Sequence, residues 1–407
     1  MKVIVVGGGA AGLMAAATAA RQGHAVTVVE RNDRPARKMM ITGKGRCNVT
    51  NDCAVEDFIA HIPGNGRFLY SAATAFSPRD TQDLLEGLGL PLKVERGNRV
   101  FPTSDKAVDV VDAFVRYAKD GGVRFHKGRV VRLCIEDGVC TGVELEDGSR
   151  MEGYAVIVCT GGASYPQTGS TGDGYALARQ AGHTVIPPRP SLVPLTVEGT
   201  DCPRMQGLSL RNVGLTAEDA ASGKTVFHEQ GELLFTHFGV SGPLILSASA
   251  HMRDMAPGRY RLRLDLKPAL SAEQVDARLV RDFAATPNTD LSNALGRLLP
   301  RKMIPIAVER VGIPGDRKCR DITKEERRRL GEWLKDYPLT VTAFRPVEEA
   351  IVTAGGVSVK EIDARTMASR LVSGLYFAGE VLDVDGYTGG FNLQIAFSTG
   401  VAAGRSV

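Results

Sequence analysis

The chain has 407 residues, of which 43% are hydrophobic, 6% aromatic and 24% charged. That composition excludes fibrous and disordered chains, and the length exceeds what one simple core fills, so two or more domains are expected. Fifty Lys and Arg against 46 Asp and Glu leave a formal charge of +4, which gives no global argument for nucleic acid or an anionic membrane as partner.

Residues 2–6 (Lys-Val-Ile-Val-Val) are a short apolar run ending at Gly7, the pattern of a buried parallel strand. Gly7, Gly8 and Gly9 interrupt the run, which argues against a secretory signal. Residues 10–22 are Ala-rich and stop at Gly23, as a helix does, and 25–30 form the next strand. Together these make one right-handed βαβ unit. Helices are expected over 78–90 and 105–121. Strands follow at 123–125, 130–135, 140–146 and 155–159, with Asp-Gly turns at 137–138 and 147–148. Pro187, Pro188, Pro190 and Pro194 mark a crossing into another domain. Residues 192–266 read as short strands and 271–336 as helices, with starts at Ser271 and Thr323. Strand character returns near 345 and at 375–380, and 391–404 read as a final helix.

The seven cysteines are odd in number and show no Cys-x-x-Cys spacing. They suggest neither a disulfide framework nor a zinc site, so no metal is expected and the cytoplasm is the expected location. No apolar stretch approaches the roughly 20 residues of a membrane span.

The Gly-rich turn after the first strand carries the first chemical signal. In Gly7-Gly8-Gly9-Ala10-Ala11-Gly12, Gly7 permits the turn, Gly9 lets backbone approach a pyrophosphate, and Gly12 lets the helix pack on the sheet. The helix N-terminus then offers N–H groups to phosphate. Glu30, with Arg31 beside it, ends the second strand where a carboxylate can accept from ribose hydroxyls. The alternative is an ordinary Gly/Ala-rich helix start. The motif does not separate FAD from NAD, but the C-terminus does. Gly379-Glu380 follows an apolar strand, and Asn392-Leu393 open a helix after Gly389-Gly390. An acid there can bind a ribityl chain, and a helix N-terminus can stabilise negative charge on a reduced flavin. Otherwise this is a capped terminal helix. A further Gly loop holds Gly45, Arg46 and Cys47. Arg46 could neutralise pyrophosphate, and Cys47 is either a flavin neighbour or a small buried filler. Thr160 and Gly161 follow another buried strand. Asp173, in the loop 168–174, is a helix cap or a cofactor contact. Two catalytic candidates stand out: His237 as a proton donor, or a structural His on a turn, and Tyr387 as an acid near the flavin, or ordinary packing.

The strings ITGKGRCNVTN (41–51), GNRVFP (97–102), TGGASYPQTGSTGDGYALARQAGH (160–183), GELLFTHFGVSGP (231–243) and GLYFAGEVLDVDGYTGGFNLQIAFSTGVAAG (374–404) resemble one bacterial flavoprotein family. Its members are described as NAD(P)/FAD-dependent oxidoreductases or aminoacetone-oxidase-family FAD-binding enzymes, and some reduce ring double bonds of 3-oxo bile-acid intermediates. The resemblance spans essentially the whole chain. It implies FAD contacts at Ala11, Glu30, Lys38, Gly45, Arg46, Cys47, Val130, Glu380, Asn392 and Leu393, with Val130 giving its backbone to adenine. Gly7, Gly9, Ala10, Gly12, Arg31, Thr160, Gly161, Gly379 and Gly390 complete the expected set.

The expected fold is α/β: a Rossmann-like FAD-binding domain of the glutathione-reductase type, interrupted by a β-rich and helical insertion. Its parts would be 1–189 and 346–407, with an inserted domain at 190–345 that is β-rich over 190–268 and mainly helical over 269–345. The expected activity is FAD-dependent reduction of an enone-like C=C in a small organic molecule, bile-acid or steroid-like substrates included, with NADH or NADPH as a transient co-substrate. No second dinucleotide fingerprint of comparable quality is visible. Neither nucleic acid nor membrane is an expected partner. Three alternatives remain: an amine or aminoketone oxidase using O₂, a flavin-based redox sensor that binds a partner, and a flavoprotein acting on RNA. The basic run Lys324–Arg329, interleaved with Glu325 and Glu326, reads as a solvated helix face.

Overall fold

A computed structural model describes residues 1–407. The chain divides into two compact units, one of residues 1–191 with 346–407 and the other of residues 192–345.

The first unit is built on a five-stranded parallel sheet in the order Leu375–Phe377, Ala155–Val158, Lys2–Val6, Ala25–Glu30, Arg124–Lys127. Val3–Val6 and Ala155–Val158 are buried throughout, which is why these strands read as continuous apolar runs rather than alternations. A three-stranded antiparallel meander follows: Val130–Glu136, Val139–Leu145 and Arg150–Glu152. Its first turn, Asp137-Gly138, has positive φ at both residues, the geometry that matches strand twist in a two-residue hairpin. The helix Ala10–Arg21 and the helix Phe391–Arg405 approach backbone to backbone. A methyl added at Gly400 would lie 2.5 Å from the Ala11 carbonyl oxygen, and one at Gly404 would lie 2.4 Å from that of Ala15. No bulkier residue fits this seam.

The Pro-rich crossing is not a plain linker. Residues Val185–Ser191 pair antiparallel with Val352–Val357, and the register slips between Ile186 and Arg189. Pro187 and Pro188 occupy that irregularity, where no ladder N–H is required.

The second unit is a closed antiparallel barrel. Its strand order is Leu195–Val197, Gly239–Ser241, Lys224–Phe235, Ser209–Asp219, Tyr260–Asp265, Tyr337–Phe344. Closure leaves no free sheet edge. Two of these strands, of 11 and 12 residues, are much longer than the short strands read from sequence. The last strand lies inside the stretch expected to be mainly helical. Its burial alternates Tyr337 in, Pro338 out, Leu339 in, Thr340 partly out and Val341 in, a period of two that closes the barrel. Helices Ala272–Ala285 and Lys324–Lys335 begin with full capping boxes at Ser271 and Thr323. No helix in the chain is long and apolar enough to cross a membrane.

Candidate cofactor site

The first strand delivers the chain into Gly7, whose φ of 97° is left-handed, and into the helix Ala10–Arg21. A methyl on Gly12 would sit 1.9 Å from the Gly7 carbonyl oxygen, so the turn and the helix touch through bare backbone. Gly12 therefore packs behind the loop. A methyl on Gly9 would meet nothing within 4 Å, so the space in front of that residue is open. Leu13 donates to the Gly9 carbonyl at 2.9 Å as the helix begins, which leaves the N–H groups of Ala10, Ala11 and Gly12 directed out of the helix end.

That end faces a cavity with about 1300 Å³ of non-protein space, counted to its open mouth. Gly7, Gly9, Ala10 and Ala11 line it at the first loop, with Glu30, Arg31 and Lys38 beyond the second strand. Val130, Thr160 and Gly161 line it from the neighbouring strand ends. Gly379, Glu380, Asn392 and Leu393 line it from the C-terminal segment. Residues far apart in sequence thus share one wall within a single unit.

Glu30 is already part of the loop. One carboxylate oxygen accepts from the Gly8 N–H at 2.8 Å, and the other accepts from the N–H and the side-chain amide of Asn32, each at 2.8 Å. The carboxylate is oriented before any ligand arrives, with one acceptor site, on Oε2, to spare for a ribose hydroxyl.

A second polar cluster centres on Glu380. Lys38 Nζ donates to its two oxygens at 3.0 and 2.7 Å and to Ser164 Oγ at 2.6 Å. The Thr353 N–H donates to Glu380 Oε1 at 2.9 Å, while Thr353 Oγ1 accepts from the N–H groups of Ala163 and Ser164 at 2.9 and 3.0 Å. Ser164 and Thr353 escaped the sequence reading. For Thr353 the signal was a hydroxyl residue inside an otherwise buried strand, a position that needs a partner, while Ser164 lies in a Gly-rich loop and gave none.

Asn392 uses its side chain to tie down the loop before it. Its Oδ1 accepts from the Gly386 N–H at 2.9 Å, and its Nδ2 donates to the carbonyls of Gly386 and Tyr387 at 2.8 and 3.2 Å. This fixes the start of the last helix, where the free N–H groups and positive dipole end lie.

Four expected contacts are placed away from this wall. Of the loop 42–48, only Thr42 lines the cavity. Arg46 is engaged elsewhere: it pairs with Glu95 and with Asp105 at 2.6 Å, and stacks 4.1 Å over the Phe101 ring. Its charge is thereby engaged by two acids, and it does not line the cavity. Gly45 belongs to a left-handed turn beside it, with Lys44 at φ 60°. Cys47 is fully buried, and burial pushes its thiol up to about 12, so it is a filler and not a thiolate. Gly390 lies against the Thr50 backbone, where a methyl would come within 2.3 Å.

The two catalytic candidates also lie off the cavity wall. Tyr387 packs edge-on against His61, ring centroids 5.6 Å apart, and its N–H donates to the His61 carbonyl. His61 itself stacks on Phe391 at 4.6 Å. His237 is exposed in the second unit, on the turn between two barrel strands, edge-on to Phe238 at 4.9 Å.

The residues present fit an FAD. A helix N-terminus stands ready for a pyrophosphate, an oriented carboxylate for a ribose, and the open space at Gly9 for close approach. Thr160 Oγ1, on a residue lining the cavity, is buried with no hydrogen-bond partner in the protein.

Comparisons with known proteins agree. A family model described as HI0933-like protein Rossmann domain matches residues 1–406. The chain is 33% identical over 405 residues to the ribosomal RNA dihydrouridine synthase of Escherichia coli K12, covering 99% of this chain and 97% of that protein. It is 32% identical over 416 residues to the 3-dehydro-bile acid delta(4,6)-reductase of Clostridium scindens, covering 100% and 98%. Among solved structures, 3-ketosteroid-delta4-(5alpha)-dehydrogenase from Rhodococcus jostii RHA1 superposes with a TM-score of 0.52 at 16% identity, over 99% of this chain and 96% of that one, a likeness of fold alone. The chain belongs to the HI0933-like family of FAD-binding Rossmann-domain proteins, and is an FAD-dependent oxidoreductase.

Proposed function

We propose that this flavoprotein takes a hydride from NADH or NADPH and adds hydrogen across a ring C=C bond conjugated to a carbonyl, and that the ring is a uracil in ribosomal RNA. One observation carries this reading. Two relatives matched over almost their whole lengths bear names with unlike substrates but one bond change. Making dihydrouridine saturates the uracil C5=C6 bond, which is conjugated to the C4 carbonyl. Reducing a delta-4 3-dehydro bile acid saturates a bond conjugated to the C3 ketone. Both are enone-type acceptors for hydride.

Bound FAD supplies hydride transfer at its ring. The chain's own part is placement. Glu30 accepts from a ribose hydroxyl, and the helix opening at Ala10 receives the pyrophosphate. Lys38 and Glu380 hold the ribityl side, and the helix start at Asn392 favours negative charge on the ring. Tyr387 and His237 both lie off the cavity wall, so neither is assigned the proton that completes the reduction, and the cytoplasm stays the proposed setting.

The excess of Lys and Arg over Asp and Glu lies wholly in residues 192–345, 23 against 19, a balance too slight to separate RNA from a bile-acid carboxylate. The bile-acid-like enone is the second reading, supported by the Clostridium scindens relative.

Anaerobic protein mixed with NADH or NADPH should bleach its flavin absorbance. Reoxidation by an unmodified ribosomal RNA transcript, with dihydrouridine formed, supports the first reading, and reoxidation only by a 3-oxo-delta-4 steroid supports the second. No bleaching by either nicotinamide would remove the proposed donor, and fast reoxidation by air with peroxide release would make the protein an oxidase. Tyr387→Phe and His237→Gln should leave reoxidation by substrate unchanged. A variant that slows it without slowing bleaching by NAD(P)H would restore that residue as the proton donor.

A further inference from the structure

The segment after the strand Ala155–Val158 crosses one end of the cavity. Its ends meet, since the Gly172 N–H donates to the Gly162 carbonyl at 3.2 Å, making a closed loop of the Ω type. Thr168, Gly169 and Ser170 of this loop line the cavity, as does Asp173, the first residue of the helix Asp173–Gln180. The wall that meets this loop carries Glu30, Arg31, Asn32 and Arg129.

Three side chains reach from that wall to the loop and its hinge with the helix. Asn32 Nδ2 donates to the Thr168 carbonyl at 3.1 Å. Arg31 Nη1 donates to Thr171 Oγ1 at 2.7 Å and to Asp173 at 3.2 Å. Arg129 clamps both Asp173 oxygens, through Nε at 2.9 Å and Nη2 at 3.0 Å. Burial alone would raise the Asp173 carboxyl, but the hydrogen bonds from Arg129 and Thr171 hold it below the ordinary range. These ties are polar and partly exposed, so they can break without opening the apolar core, while the buried Ser164, bonded to Lys38, Thr353 and Glu380, anchors the start of the loop.

Glu30 stands at this same end, in the strand-end position that receives the ribose of a dinucleotide. We infer that residues 165–172 of this loop are a latch across the adenosine end of the FAD site, with Asp173 as its bolt, and that FAD enters and leaves through it. This holds whichever substrate is reduced. A bolted latch has a kinetic signature that an ordinary contact lacks. It slows entry and exit together and leaves the equilibrium affinity nearly unchanged, whereas a contact made only in the bound state slows exit alone.

The test is stopped-flow FAD binding to full-length protein stripped of flavin, with release followed after dilution, both read by flavin fluorescence. Asp173→Asn should speed association and release by about tenfold each, the effect of losing a two-pronged charged hydrogen bond. Thr171→Val keeps the first-turn carboxylate of the helix and should speed both by a smaller factor. Raising salt from about 0.05 to 0.5 M should accelerate both steps in the parent and much less in Asp173→Asn. Faster release with unchanged association would make Asp173 a plain cofactor contact and overturn the latch, as would unchanged rates in both variants.

Discussion

Of the 46 glycines, 34 lie in the cofactor unit and 12 in the inserted unit. Charge runs the other way. The cofactor unit carries 27 Lys and Arg and 27 Asp and Glu, and the inserted unit holds the whole excess. The first unit is organised by backbone approach, at Gly7 and Gly12 in the turn and at Gly400 and Gly404 in the helix seam. The second is organised by side chains: capping boxes, alternating barrel strands, and pairs such as Lys335 with Asp265 and Arg263 with Asp336. The cofactor cavity lies wholly in the first unit, where a dinucleotide needs the main chain close to its phosphates.

The largest expected break in this contrast is Gly12→Val. Its branched side chain must occupy space where even a methyl lies 1.9 Å from a carbonyl oxygen. It should purify without flavin and with thermal stability lowered by several kcal/mol. A full complement of FAD in that variant would show the cradle to be misplaced. Next is Lys38→Met, which leaves the Glu380 carboxylate without its cation. FAD affinity should fall about tenfold, near 1.4 kcal/mol, by fluorescence titration. An unchanged dissociation constant would mean that Glu380 does not need Lys38.

A pH effect should follow in the cofactor unit. His183 has no exposed side-chain surface and lies between Glu361 at 3.2 Å and Ser369 at 2.7 Å. Burial lowers its pKa, and Glu361 offsets this only in part. The folded protein therefore binds a proton less readily than the unfolded chain. Stability from this site is full above about pH 6.5 and is lost as pH falls through the lowered native pKa. Melting temperatures at pH 7.5 and 5.5 should differ less in His183→Gln than in the parent. In the inserted unit, Tyr337→Phe removes the hydroxyl that donates to Asp201 at 3.0 Å, while Arg310 still holds that carboxylate at 2.8 Å. A loss of about 1 kcal/mol with unchanged flavin content is expected. The smallest effect has the opposite sign. Gly296 is exposed in a helical turn with nothing near its missing methyl, so Gly296→Ala should stabilise by about 0.5–1 kcal/mol. A glycine substitution that stabilises one unit while another empties the second of cofactor would be the contrast at its sharpest.

Most elements were legible because their signals are local. The strand ending at Gly7, the Asp137-Gly138 turn and the caps at Ser271 and Thr323 each announce themselves within a few residues. The barrel was not legible, since its closure depends on Tyr337–Phe344 pairing with strands 73–79 and 144–149 residues earlier in register. Within the site, motif residues were readable and their partners were not. Glu30 is a strand-end acid by sequence, but its grip on the Gly8 N–H is set by three dimensions. Arg46 misled for the same reason, because Glu95 and Asp105 lie 49 and 59 residues away.

The seam between Ala10–Arg21 and Phe391–Arg405 has a consequence in time. Chains are made from the N-terminus, so the first strand, the glycine turn and the first helix emerge long before the residues that cover them. The inserted unit is translated and can fold while that half-walled surface waits with an uncovered apolar helix face. Only when Gly400 and Gly404 arrive does the seam close. The flavin can be captured by a finished protein, but hardly by a nascent one, and the waiting half-domain is where a chaperone would have most to do.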